Sequence, residues 1–258
     1  MPYIIRNFID HKFLLRELVL KGIKLKYRRS YLGILWSLLE PILMTIVLTI
    51  IFGTLFGNPD PTYPLYILCG RLLFTFFSNA TNTSLRTIRN NAPMIKKVYV
   101  PKYLYVLSSM LSNYIIFLIS LIVLVGFALV LKVYPTVHIF MIWLPLILLF
   151  LLSFGVGMIL ATIGVFFRDM EYLWSVAMTI IMYASAIFYY PERILNSSFA
   201  WILQYNPLYH IIALFRSCVY GEIWNGFSVI YSIVFTLGSV IIGCIYFLKR
   251  QDEFILHI

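Results

Sequence analysis

Residues 138–166 read HIFMIWLPLILLFLLSFGVGMILATIGVF and contain no Lys, Arg, Asp or Glu. A helix rises 1.5 Å per residue, so about 20 apolar residues cross the roughly 30 Å hydrocarbon core of a bilayer. Lipid offers the backbone no hydrogen-bond partner, which leaves only helices and closed barrels. Barrel strands show about ten residues of alternating polarity, whereas this stretch is longer and continuous. It therefore predicts a membrane-spanning helix.

The whole chain has the composition that this stretch suggests. Its 258 residues are 62% hydrophobic and 12% charged, with a mean hydropathy of +0.92. Soluble domains carry about 25% charged residues, and a soluble chain of this length could not bury so much apolar surface. We therefore expect an all-α integral membrane protein, a single domain over residues 1–258. The six predicted transmembrane helices are 34–57, 64–85, 104–131, 138–166, 172–190 and 227–248.

The distribution of charge predicts the orientation of these helices. The net charge is +10, and residues 1–33 hold eight Lys or Arg against two acidic residues, while 86–103 holds five and none. The link 57–63 has no basic residue. Basic segments stay in the cytoplasm, so we expect both termini on the cytoplasmic side of a multi-pass inner-membrane protein. The basic charge thus reflects topology rather than nucleic-acid binding.

Two segments are too short or too polar to span. In residues 1–33, apolar positions such as Leu14, Leu15, Leu18 and Val19 recur at helical spacing, which predicts an amphipathic helix at the cytoplasmic interface. It could serve as a lipid anchor or as a docking surface. Residues 191–226 contain a 14-residue apolar piece, Pro207–Tyr220. We expect short re-entrant helices there, on the outer side before the last span.

Polar residues inside the predicted spans are few. Glu40 and Arg71 differ in expected depth by about 10 Å, so we expect no direct ion pair, and Arg71 can extend outward to the interface. Residues 78–84 hold six polar side chains, which helix packing or a hydrated cavity would explain. Small residues at Ser153, Gly157 and Ala161, with Gly164 next, predict a close helix–helix contact.

No catalytic or metal-binding motif is present. The chain has no nucleotide-binding loop, its four histidines are scattered, and its three cysteines lie in apolar stretches without metal-ligand spacing. We therefore expect a transport subunit rather than an enzyme, with no metal or cofactor on this chain. The aromatic set Tyr183, Phe188, Tyr189 and Tyr190 is typical of an interface belt, but sugar rings also stack on such faces. Both interpretations remain open.

Four motifs in register carry a family resemblance. They are YRRSYLGILW at 27–36 followed by Pro41, NAPMIKKVYVP at 91–101, FFRD at 166–169 and NPLYHIIALFR at 206–216. Together they resemble the permease subunits of ABC exporters for cell-surface polysaccharides: the O-antigen (Wzm-type), capsule and teichoic-acid export permeases. Glu40 is a departure, because that family more often has a neutral residue before the proline.

The resemblance implies a homodimer with two separate ATPase chains, which would hold ATP and Mg, and a polyprenyl-diphosphate-linked polysaccharide as substrate. The segment 86–103 would couple to the ATPase, and 191–226 would form an outer gate. The residues expected at the coupling contact are Arg89, Asn91, Ile95, Lys96, Lys97 and Tyr99. Those expected along the substrate path are Trp36, Glu40, Phe52, Phe56, Tyr183, Phe188, Tyr189 and Tyr190. Those expected at the lipid diphosphate entrance are Lys26, Arg28 and Arg29.

Two alternative functions stay open at this stage. A drug or lipid exporter permease of the same fold usually has a large extracellular insertion or a fused ATPase. An ion-coupled secondary transporter is expected to have more buried ionisable groups and inverted repeats.

Overall fold

The computed structural model describes residues 11–28, 30–57, 60–97 and 100–257. Within these ranges the regular structure is helical and no strand occurs, which confirms the all-α class. Short 3₁₀ turns lie at Gly33–Leu35, Val137–Met141 and Gln251–Glu253. The α-helices are α1 Lys12–Tyr27, α2 Trp36–Phe56, α3 Tyr63–Asn90, α4 Ala92–Ile95, α5 Tyr103–Val130, α6 Trp143–Phe166, α7 Met170–Tyr183, α8 Glu192–Leu195, α9 Trp201–Gln204, α10 Pro207–Tyr220, α11 Gly226–Arg250 and α12 Phe254–His257.

Local sequence explains where several helices begin and end. Gly57 and Gly221 adopt positive φ angles of 67° and 76°, the left-handed conformation that commonly ends a helix. The side chain of Asn206 accepts hydrogen bonds from two backbone N–H groups at the start of α10, and Pro207 follows at the first helical position. Asn225 caps α11 in the same way. The 14-residue piece predicted from the sequence is therefore a helix with defined ends.

Four helical segments of the described chain are long and apolar enough to cross a membrane: Gly33–Leu55, Tyr103–Val130, Val137–Phe166 and Gly226–His257. Helix α3 has the length, at 28 residues, but it carries Arg71, Arg86 and Arg89. Helix α7 has only 14 residues. The four segments agree with an integral membrane protein of several passes.

The bundle has two chemically different ends. The end that we call the basic end holds α1, α4 and the α6–α7 turn, and Lys102 there donates a 2.6 Å hydrogen bond to the backbone oxygen of Gln251. The opposite end, here the loop end, holds the links before α3 and α6 and residues 184–225. There the hydroxyl of Tyr220 donates to the backbone oxygen of Thr62 at 3.1 Å. Contacts at both ends thus hold distant parts of the chain together.

Helix α3 forms the centre of the bundle although it is the most polar of the long helices. It packs on α5 and α6, and most of its residues, Leu65–Gly70 among them, are buried. By contrast α2 is strongly apolar, and large side chains such as Ile50 and Leu55 are exposed. This inverted arrangement suits a lipid solvent, where polar side chains are costly at the surface and apolar ones are not.

Small residues allow the closest helix contacts. A side chain at Gly157 would collide with Met110, and one at Gly164 with the backbone of Leu85, which confirms that the predicted stripe is a packing face. A second contact was not predicted: Gly155 on α6 faces Gly243 on α11, where a side chain on either residue would meet backbone of the other helix. Glycine on both helices lets the two backbones touch.

The structure differs from two sequence expectations. The fifth predicted span, 172–190, is helical only to Tyr183, because residues 184–190 form turns in which Ala186 has a φ of 47°. The amphipathic helix α1 does not leave its apolar face to lipid. Leu15, Leu18 and Val19 are buried, and the hydroxyl of Ser112 on α5 donates to the backbone oxygen of Val19 at 3.1 Å.

The α6–α11 contact yields a test of the fold. Gly243→Val would place a side chain against the backbone of Gly155. Overpacking of this kind lowers the free energy of unfolding by about 1–3 kcal/mol. We expect a lower thermal midpoint, by about 2–4 °C per kcal/mol, in size-exclusion profiles of detergent-solubilised protein. The matched control is Gly238→Val on the same helix, where nothing lies within 4 Å. Equal midpoints for both variants would refute the close contact.

Candidate functional site

A polar cavity of about 400 Å³ lies between α1, α2, α3 and α5. Its charged groups are Lys26, Glu40 and Arg71, and the amides of Asn79 and Asn113 add further polar atoms. Aromatic and aliphatic side chains complete the wall, namely Trp36, Phe76, Ile116 and Phe117. Charged groups above an apolar wall suit a ligand with an ionic head and a hydrocarbon tail.

The three charges of this cavity share one space without forming an ion pair. Among the residues that the structure describes, no contact within 4.0 Å joins Glu40 to Lys26 or to Arg71; for Arg71 this was expected from the difference in depth. Arg71, however, faces this shared cavity and does not extend to the loop end. Burial lowers the pKa of Lys26 below its usual range, and the Glu40 carboxylate opposes that shift. The cavity thus holds two cationic side chains and one carboxylate.

A second cavity of about 670 Å³ adjoins the first on the side of the basic end. Lys26, Asn79 and Asn113 line both. The polar run of residues 78–84 divides between packing and this groove. Thr81 and Ser84 are buried and donate to backbone oxygens four residues back, while other members of the run face the groove: Asn79, Asn82 and Thr83. Both explanations of the polar run therefore apply.

The C-terminal end of α3 is tied to the first turn of α7 through one carboxylate. Glu171 forms ion pairs with Arg86, at 2.8 Å, and with Arg89. Asn91 donates to the backbone oxygen of Thr87 at 2.8 Å. Buried and exposed residues then follow each other along the chain. Ile95 is 8% exposed and packs in the core, whereas Lys96 and Lys97 are exposed. This loop therefore presents two lysines to solvent, and Arg89 at its start connects it to α7.

The predicted aromatic set lies at the loop end, and only Tyr183 belongs to a helix. Phe188 is buried and stacks on Phe52, with ring centroids 5.0 Å apart and planes within 6°. Tyr189 donates its hydroxyl to the backbone oxygen of Tyr183 at 2.5 Å. Tyr190 remains exposed. The set thus combines internal packing with two exposed rings, those of Tyr183 and Tyr190.

Arg216 holds this turn in place, a role that does not follow from the sequence alone. Its side chain is 7% exposed and donates to the backbone oxygens of Tyr66, Ala186 and Ile187 at 3.0–3.3 Å. Its guanidinium lies 3.4 Å from the ring centre of Tyr66. The only sequence signal was a basic residue interrupting the apolar segment of α10. Glu171 was likewise missed, because its partners lie 82 or more positions away.

The structure gathers some predicted site residues and separates others. Lys26, Trp36 and Glu40, expected at the entrance and on the path, line one cavity. Arg28 is exposed and lines neither cavity. Arg29, Tyr99 and the side chain of Phe56 lie outside the described residues. Within the described chain, no group of three or more His, Cys, Asp or Glu could hold a metal ion.

Loss of the Arg216 side chain should destabilise the loop end. In Arg216→Gln, at least some of the carbonyl groups of Tyr66, Ala186 and Ile187 lose their donors. Each buried carbonyl group left without a donor lowers the free energy of unfolding by about 1–3 kcal/mol. We expect a lower yield of monodisperse protein and a lower thermal midpoint, with Arg216→Lys in between. The control is Arg168→Gln, an exposed arginine at the basic end. Wild-type behaviour of Arg216→Gln would contradict the proposed support.

Comparison with known proteins agrees with the motifs. Residues 14–220 match the ABC-2 type transporter family. The chain is 29% identical over 241 residues to the O-antigen export system permease protein RfbA of Klebsiella pneumoniae, covering 91% of this chain and 90% of that protein. It is 27% identical over 253 residues to the polysialic acid transport protein KpsM of Escherichia coli, covering 95% and 96%.

A third relative is the capsule polysaccharide export inner-membrane protein CtrC of Neisseria meningitidis, which is 22% identical over 222 residues, or 84% of this chain and 83% of that protein. The family match over residues 14–220 contains most of α1, both polar cavities, the Glu171 contact and α10. The resemblance inferred from the four motifs is thereby confirmed, and the chain belongs to the ABC-2 type transporter family.

Proposed function

We propose that this chain is the permease subunit of an ATP-driven exporter that moves a polyprenyl-diphosphate-linked polysaccharide out of the cytoplasm. Similarity to surface-polysaccharide export permeases over nearly the whole length is the observation that carries the proposal. The working unit is a homodimer with two copies of a separate ATPase that binds ATP and Mg. The chain crosses the inner membrane six times, α3 and α7 included, with the basic end in the cytoplasm.

Helix α3 supports six crossings despite its arginines. Arg71 faces a cavity, and Arg86 and Arg89 pair with Glu171 at the basic end, so none of the three needs to contact lipid. Helix α7 is short, but in the turn that follows it the carbonyl groups of residues 186–189 accept hydrogen bonds from Arg216, Tyr63 and Tyr66. Irregular backbone is tolerated at membrane depth only under that condition.

The coupling contact of this proposal is the loop from Arg89 to Tyr99. Lys96 and Lys97 project from it toward the ATPase, while Ile95 anchors the loop in the core. Because Glu171 joins the start of the loop to α7, a displacement of the loop would move α7 as well. ATP-driven closure of the partner would thereby move α7, and the aromatic turn follows directly after the far end of that helix.

The two adjoining cavities form the proposed entrance. Lys26 and Arg71 would attract the diphosphate through charge-assisted hydrogen bonds, and Phe76, Ile116 and Phe117 would contact the prenyl chain. Arg28, exposed just after α1, would act as an outer attraction for the anion, and we propose the same role for its sequence neighbour Arg29. The sugar polymer would then pass the expected path residues, from Trp36 and Glu40 toward Phe52, Phe56 and the aromatic turn.

Charge reversal at the loop lysines tests the coupling. Lys96→Glu combined with Lys97→Glu should reduce polymer-stimulated ATP hydrolysis by the reconstituted complex about tenfold or more, as expected for replacing attraction with repulsion across an interface. The permease itself should fold normally, since both side chains are exposed. Lys249→Glu, also exposed at the basic end, is the control. Unchanged stimulated hydrolysis in the double variant would refute the contact.

Two substitutions that change the charge of the cavity in opposite directions test the proposed entrance. Arg71→Gln removes a positive charge from the cavity and should weaken binding of farnesyl diphosphate to the purified permease, whereas Glu40→Gln removes the negative charge and should strengthen it. We expect shifts of about three- to tenfold in Kd, measured by calorimetry, with stronger effects at low salt. Lys12→Gln, at the exposed start of α1, should have no effect. Equal affinities for both cavity variants would refute the assignment.

A further inference from the structure

A third cavity, of about 350 Å³, lies at the loop end and is separate from the proposed entrance and coupling loop. Its wall comes from the link before α3, from the turn after α7, and from α10. Tyr220 donates to the backbone oxygen of Thr62 and so joins two sides of the cavity. The volume falls within the roughly 300–1,000 Å³ of small-molecule pockets.

The chemistry of this cavity is unlike that of the entrance. Three carboxylates line it, those of Asp60, Glu192 and Glu222, against one cation, Arg216. The donors of Arg216 are directed at backbone oxygens, and no ion pair within 4.0 Å joins it to a described carboxylate. The cavity is therefore rich in hydrogen-bond acceptors and has an excess of negative charge.

The carboxylates differ in how they are held. Asp60 accepts a 2.9 Å hydrogen bond from the backbone N–H of Thr62 and a 3.4 Å one from the hydroxyl of Tyr190. Glu192 and Glu222 are exposed, and their side-chain carboxylates form no hydrogen bond or ion pair with any described residue. Two carboxylates thus remain available to a ligand that donates hydrogen bonds.

Tyrosine rings supply the second half of a binding site. Tyr190 packs against Tyr66, with ring centroids 4.8 Å apart, and Tyr66 is fixed in turn by the guanidinium of Arg216. Tyr190 therefore presents a positioned, partly exposed ring, and half-buried Tyr209 lines the same cavity. Aromatic faces pack on apolar surface, and their hydroxyls bond to polar groups.

We propose that this cavity binds one or two sugar units of an uncharged polysaccharide at the exit side of the permease. Sugar hydroxyls would donate to Glu192 and Glu222, and the C–H faces of the ring would pack on Tyr190 and Tyr209. A glycan with carboxylates of its own would meet three like charges and bind weakly. The inference rests on the proposed export function and narrows its substrate to neutral glycans.

The test uses saturation-transfer NMR on the full-length permease with its ATPase in lipid nanodiscs. The probes are mannotetraose and a galactan tetrasaccharide, both neutral, and an α2,8-linked sialic acid tetramer. We expect transfer to at least one neutral probe and about tenfold weaker binding of the sialic acid tetramer. Glu192→Gln with Glu222→Gln should weaken neutral binding about tenfold, the combined effect of replacing two charge-assisted hydrogen bonds by weaker neutral ones, and should reduce the discrimination against sialic acid.

Glu17→Gln is the matched control, because Glu17 is an exposed glutamate on α1 at the basic end. Equal binding of the sialic acid tetramer and the neutral probes, absence of binding by both neutral probes, or unchanged binding in the double variant would each overturn the inference. Surface staining of polysaccharide in cells that express the complex separates the two proposals. Export without neutral-sugar binding would refute the cavity alone, whereas absence of ATPase-dependent export of any glycan would refute the transport function.

Discussion

The need to satisfy every backbone polar group without water is the constraint on which this structure depends. Long helices meet it internally, but residues 184–190 leave the helix and would expose their carbonyl groups. Arg216 supplies donors to two of these carbonyl groups, and the hydroxyls of Tyr63 and Tyr66 donate to two others, those of Phe188 at 2.5 Å and Tyr189 at 2.9 Å. Because donors from α3 and α10 meet at this turn, three separate parts of the chain are fixed relative to one another, and the exposed ring of Tyr190 is fixed with them.

The same constraint explains the inverted arrangement of the bundle. Polar side chains that lipid cannot solvate collect on α3, which is surrounded by α5 and α6, whereas apolar α2 lies at the periphery. Some polar groups of α3 bond back to their own helix, as Thr81 does at 2.8 Å, and the rest line cavities. The polar residues therefore follow one helix from the basic end, past Asn82 and Asn79, to Arg71. A continuous polar face inside an apolar bundle is the physical basis for proposing passage of a hydrophilic substrate.

Much of this arrangement could be predicted from the sequence, because hydropathy and charge are properties of contiguous segments. The helical class, the short helix Pro207–Tyr220 and the close contact at Gly157 follow from local patterns. Features that depend on distant partners could not be predicted. The approach of Gly155 to Gly243, the pairing of Glu171 with Arg89 and the meeting of Lys26 with Arg71 in one cavity need the tertiary fold. The early end of α7 was missed for the same reason, since Arg216 compensates the lost helical bonds from 30 residues away.

The account as a whole depends on which end of the bundle faces the cytoplasm. Cys69 and Cys218 are buried and Cys244 is half-buried, so the wild-type chain provides a low-background control for thiol labelling. A membrane-impermeant maleimide added to intact cells that carry single substitutions would report the orientation directly. The account predicts that Asn196→Cys, at the loop end, is labelled from outside, and that Lys97→Cys is labelled only after the cells are permeabilised. Labelling of Lys97→Cys in intact cells would contradict it, because the loop proposed to contact the ATPase would then lie on the wrong side of the membrane.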